Sequence, residues 1–212
     1  MASSWKSSSA KGNRARNRSK RSTRLTVPCA TLRGVIVFHM AVATSDDYLV
    51  RREPHRRAHL ERLQGLRAAG ILIGGGPSPD GTRADLFYRL QQPQQVANAM
   101  EEDPYFLAGA WTGYTPRSFA QFVEPWEAIP VVLDGSRVAT IVEGPVGHHD
   151  MAQFALIELR GAGRLAFGGF FDDGSTLAVV KTPKADEAID ALAASGFWAR
   201  DTLTARRWLY VL

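Results

Sequence analysis

Arg67-Ala68-Ala69-Gly70-Ile71-Leu72 returns 93 positions later as Arg160-Gly161-Ala162-Gly163-Arg164-Leu165. The same offset carries Leu63 and Leu66 onto Leu156 and Leu159, Gly75-Gly76 onto Gly168-Gly169, and Asp80-Gly81 onto Asp173-Gly174. With one residue removed, Tyr105-Phe106 fall on Phe197-Trp198. Chance supplies one such match, but not this many in order, so the chain reads as an internal duplication. Its 212 residues are enough for two small domains. The expected organisation is a basic tail over 1–33, a first module over 34–124, a linker over 125–137 and a degenerate second module over 138–212.

Outward from that stretch, the first module shows six elements. Gly34-Val-Ile-Val-Phe-His-Met-Ala-Val-Ala43 is rich in β-branched residues and reads as a buried strand bounded by the polar turn 44–47. A helix is expected from Leu49 to Ala69, regular from about Glu53 or His55 because Pro54 sits in its start, and stopped by Gly70. Leu60, Leu63 and Leu66 set its buried face. At about 100° per residue His59 lies between Leu63 and Leu66, His55 lies one turn earlier on that side, and Arg57 and Arg62 face solvent. Ile71-Leu72-Ile73 is a short strand. The run from Gly74 to Gly81 is expected to be a turn, because it lacks the phosphate-loop spacing and no helix follows it. Strand 85–90, a helix over 93–102 ended by Asp103-Pro104, and strand 119–123 complete the module. The order β-α-β-β-α-β is that of a ferredoxin-like α+β module. In the second copy, Val138–Val142 is expected as the opening strand.

Charge divides unevenly along the chain. Residues 1–33 hold nine of the 26 Lys and Arg and no acidic residue, leaving 17 basic against 21 acidic residues in the body, a net of −4. The overall net charge of +5 therefore belongs to the tail, and a global nucleic-acid surface is not supported. The tail is expected to be disordered, as an extension, a targeting peptide or an arm for nucleic acid or an acidic partner. The basic stretch before Gly34–Ala43, with Ala41-Val42-Ala43 at its end, mimics a secretory signal; Arg33, His39 and the β-branched run favour a strand instead. The single cysteine, Cys29, excludes an internal disulfide framework and fits a cytoplasmic setting. No apolar run reaches the length of a bilayer span, so no membrane partner is expected.

Arg56-Arg57-Ala58-His59-Leu60, Gly70-Ile71-Leu72 with Gly76-Pro77, and Asp103-Pro104-Tyr105 with Ala108-Gly109 follow one another in a pattern that resembles the YCII-related (YciI-like) family. The resemblance covers residues 34–124. It implies a dimeric α+β barrel, here formed within one chain as a pseudo-dimer, so that a monomer is expected. It also implies a His59/Asp103 couple as the catalytic centre of a small-molecule lyase or isomerase, similar to the dehydrochlorinase-type members, with no cofactor.

The chemistry of the residues is compatible with this. A histidine titrates near neutrality, and a carboxylate can fix its tautomer and stabilise its cation. The structural alternative has His59 as a satisfied core residue and Asp103 as a helix cap. Arg56, His55 and Tyr105 are candidate substrate-binding residues, with Trp111 and Tyr114 as further candidates for a cleft that takes an anionic aromatic molecule. His55 and His59, four apart, can share a zinc ion, but no Glu stands between them and a third ligand, Asp80 or Asp103, is distant; no metal is expected. The second copy loses these groups: His59 maps onto Ala152, Asp103 onto Ser195, and Gly76-Pro77 onto Gly169-Phe170. A non-catalytic ligand-binding or accessory module of the same fold is the competing function.

Overall fold

The computed structural model describes residues 36–121, 132 and 134–209. The basic tail, the linker up to residue 131 together with 133, and the last two residues of the expected strand 119–123, Phe122-Val123, fall outside the described residues. The first half runs β1 (Ile36–Thr44), α1 (Tyr48–Arg51), α2 (Arg56–Ala68), β2 (Leu72–Pro77), β3 (Arg83–Leu90), α3 (Gln95–Glu101), α4 (Pro104–Leu107) and β4 (Trp111–Gln121). The second runs β5 (Val138–Gly144), α5 (His149–Gly161), β6 (Leu165–Phe171), β7 (Thr176–Val180), α6 (Ala185–Ala193) and β8 (Thr204–Leu209). The 93-residue offset carries α2 onto α5 from first residue to last.

All eight strands form one antiparallel sheet in the order β2-β3-β1-β4-β6-β7-β5-β8, so each half contributes the same internal order. The halves join where β4 pairs with β6, Phe119 opposite Phe171 and Ala120 opposite Phe170. A Cβ on Gly169 at this seam would run into the Ala120 carbonyl oxygen, so only glycine permits the approach. At the other end, β2 and β8 come together and the Trp208 indole N–H donates to the Gly76 carbonyl at 2.8 Å.

Alternation along the strands sends one set of side chains to the helices and the other to the space between the two halves of the sheet. Phe38, Met40, Leu86 and Tyr88 pack under the helices of the first half, and Val142, Leu165 and Ala178 do so in the second. A third core, including Ile73, Phe87, Phe119, Ile141, Phe167 and Trp208, draws on both halves. Each four-stranded half of the sheet thus buries its second face on the other half, which neither can do alone.

Three local expectations need correction. Gly74, Gly75, Gly76 and Pro77 are strand rather than turn: they pair with β3, and the reversal comes later, where Gly81 takes a φ of 72°. The expected helix 49–69 is broken into α1, a 3₁₀ turn over Glu53–His55 and α2, because Pro54 cannot donate into an α-helical ladder. This removes His55 from the buried face, and its side chain is exposed. Finally, β4 begins at Trp111 instead of 119. Its alternation is masked by Gly113, Thr115 and Pro116, and it is held by register with β1 from Thr44 to Val37.

Candidate active site

His59 leaves the first turn of α2 toward the sheet and is only 7% exposed. Its Nδ1 lies 2.8 Å from Oδ1 of Asp103, which is fully buried. Asp103 is placed by its local sequence. Pro104 after it favours an extended backbone, found here at φ −71° and ψ 134°, and its side chain caps α4 by accepting the Tyr105 backbone N–H at 2.9 Å. One oxygen therefore serves both the cap and the imidazole. The other oxygen, Oδ2, is buried without a hydrogen bond, with Arg62 Nη1 at 3.8 Å. Arg62, expected in solvent, instead donates to the carbonyls of Asn98 and Ala99 and ties α2 to α3.

Aromatic rings fix the imidazole plane. Tyr105 stacks on His59 with centroids 3.7 Å apart and planes 12° apart, and Trp111 meets it edge-on at 5.2 Å. A carboxylate on Nδ1 makes that nitrogen the proton carrier in the neutral ring and leaves Nε2 with its lone pair.

His59 borders a cavity of about 110 Å³ between α1, α2 and the β2–β3 hairpin. This is the order of size, roughly 150 Å³, that accommodates a benzene ring. Leu60, Leu63, Pro77, Ala84 and Leu86 give it apolar walls, and Tyr48, Arg52, Arg56 and Tyr105 supply polar groups. The Arg52 guanidinium sits 5.0 Å from the Tyr48 ring centroid. Burial pushes the Tyr48 hydroxyl above the ordinary phenol range against the opposing pull of Arg52, and burial likewise raises Tyr105. Both phenols stay neutral donors at physiological pH, and Arg52 and Arg56 bring cations to the cavity lining, Arg52 with the Glu53 carboxylate 3.5 Å from its Nε.

Of the residues expected from sequence, His59, Asp103, Arg56 and Tyr105 come together here, and Trp111 joins them. His55 is exposed and is not among the lining residues. Tyr114 is also elsewhere: its hydroxyl donates to Glu101 and its ring packs on Phe106. Tyr48 and Arg52 were not expected; the signal for them was the polar face of the short helix before Pro54, which a single long helix hides.

A second polar cluster lies between the two halves of the sheet. His39 Nε2 is 2.7 Å from Asp85 Oδ1, which also accepts from Arg83 and from Arg206 of β8. Arg206 continues to Glu143, and Arg117 joins Glu143 to Asp173 while lying 3.3 Å from the Phe171 ring centroid. In the second half the position of the His59 cavity is filled. Ala152 stands for His59, and Phe170, 1% exposed, stands for Pro77 with the His149 ring 4.2 Å away.

No family model matches the chain, and no curated protein matches it in sequence. Solved structures do share its fold. A "putative monooxygenase" from Lactobacillus acidophilus NCFM aligns with a TM-score of 0.55 at 11% identity over 84% of this chain and 95% of that one. A second protein of that description, from Fusobacterium nucleatum, aligns with a TM-score of 0.51 at 7% identity over 85% of this chain and 94% of that one. A 5-chloro-2-hydroxyhydroquinone dehydrochlorinase from Burkholderia phenoliruptrix is 23% identical over 43% of this chain and 93% of its own, with a TM-score of 0.34. At these identities the likeness concerns architecture. The chain has the α+β fold of the dimeric α+β barrel proteins, with both ferredoxin-like halves supplied by one polypeptide.

Proposed function

We propose that this chain is a YCII-like, cofactor-independent lyase or isomerase acting on a small, acidic, ring-sized molecule, with His59 as base and Asp103 as its orienting carboxylate. The observation that carries the reading is the 2.8 Å Asp103–His59 contact on the inner side of a cavity that His59 itself borders. Nε2 takes a proton from the substrate, and the electron pair of the broken bond forms a new double bond. In an elimination the leaving group departs as an anion with its own bonding pair; in an isomerisation the imidazolium returns the proton at another carbon. Asp103 stabilises the imidazolium while it lasts, and Arg52 and Arg56 hold the anionic substrate. Since both halves of the barrel come from one chain, the working unit is a monomer.

The second reading, a ligand-binding module without turnover, draws support from the cap bond of Asp103 to Tyr105, which gives that carboxylate a structural reason to exist. Incubation of the full chain in deuterium oxide with a panel of monocyclic carbon acids and chlorohydroquinones separates the two. The expected outcome is deuterium incorporation or chloride release that falls by about 10²–10⁴-fold in His59→Gln. Equal rates in the two proteins would leave the binding reading standing.

A further inference from the structure

The second half has no counterpart of the His59–Asp103 pair, Ala152 and Ser195 standing in those places, yet it reaches the first half's cavity. Leu209, the last residue of β8, and Gly135, ahead of β5, line it opposite α2. Leu209 is held there by its neighbour. Trp208 is fully buried, and its indole N–H fastens β8 to the Gly76 carbonyl, next to Pro77 of the cavity wall. Alternation along β8 turns Leu209 to the sheet face opposite Trp208, the face on which the cavity lies. Leu209 itself is half-buried and carries an apolar, branched end that a bound ring can touch.

We propose that Leu209 is the specificity-determining wall of the His59 cavity, so that the half without a dyad sets the size of molecule that the half with one admits. The proposal rests on the reading of that cavity as a substrate chamber. It accounts for an asymmetry of the duplication: the second chamber is plugged by Phe170, while the strand that closes over the first chamber is anchored by a buried tryptophan.

Acylation of His59 tests this without any turnover. The full chain, Leu209→Ala and Leu209→Trp are each treated with diethyl pyrocarbonate and with the bulkier di-tert-butyl dicarbonate, and modification is followed peptide by peptide by mass spectrometry. His55, His148 and His149, all exposed, serve as internal controls. Leu209→Ala is expected to raise the rate of the bulky reagent relative to the small one at His59 by about tenfold, the scale on which an apolar wall discriminates size. Leu209→Trp is expected to slow both reagents at His59 by about as much, with the control histidines unchanged and the circular dichroism spectrum retained. A reagent ratio at His59 that is the same in all three proteins would overturn the proposal. So would a His59 inert to both reagents in all three while the controls react. A ratio that shifts as expected, together with exchange rates insensitive to His59→Gln, supports the wall and removes the enzymatic reading.

Discussion

Among the described residues two buried His–Asp pairs of nearly equal length occur, and their surroundings give them different work. His59 borders a cavity, and the Asp103 oxygen it contacts also accepts the Tyr105 backbone N–H, with Arg62 3.8 Å from the other oxygen. His39 is 1% exposed, and its Asp85 is crowded by Arg83 and Arg206. For Asp85, burial alone would raise the carboxyl pKa; the hydrogen bond with His39 and the Arg206 guanidinium outweigh it and hold the group well below the usual carboxylate range. Glu143 is lowered against its own burial chiefly by Arg206. A carboxyl depressed in the folded state contributes stability above its unfolded pKa and loses it as pH falls through the folded value. Urea unfolding is therefore expected to show stability that is flat near neutrality and declines from about pH 4 downward. Arg206→Met takes one cation from Asp85 and Glu143, which keep Arg83 and Arg117, and is expected to cost about 1.5–3 kcal/mol at neutral pH. Stability unchanged by that substitution would show that the cluster is incidental.

At the scale of elements, the two halves show what happens to a helix–hairpin cleft when one residue changes size. In the first, β2 ends Gly76-Pro77 and the space beneath α2 stays open. In the second, Phe170 occupies the corresponding place and closes it. Pro77→Phe should transfer that plug to the first half. The expected result is a folded protein in which ligand-dependent protection and any His59-dependent exchange are lost, read by deuterium exchange and thermal unfolding. The strand–helix order was legible from hydrophobic periodicity, and the 93-residue offset located α5 from α2. Two features were not legible. The glycine run at 74–76 lacks side chains with any strand preference, so its pairing with β3 is dictated by tertiary contact alone. The break at Pro54 looked like the start of one helix, which placed His55 on a face it does not share and concealed Tyr48 and Arg52.

For the whole molecule, sheet-on-sheet burial explains why a half without a dyad is retained. Ile73, Phe87 and Phe119 would lie open to water without Ile141, Phe167 and Leu177 opposite them. That core was implied by duplication and by family resemblance, whereas the seam at Gly169 and the anchor at Trp208 depend on backbone approaches that no local pattern encodes. Pairing of His59 with Asp103, 44 residues away, likewise follows only once α2 and the cap of α4 are packed together. The tautomer of His59 tests the central claim most directly, because Asp103 can orient the base toward the cavity only if the proton sits on Nδ1. Long-range proton–nitrogen correlation spectra of the histidine-labelled full chain, at a pH where the ring is neutral, should show Nδ1 protonated and Nε2 bare. A proton on Nε2, or an equal mixture of the two tautomers, would contradict the account.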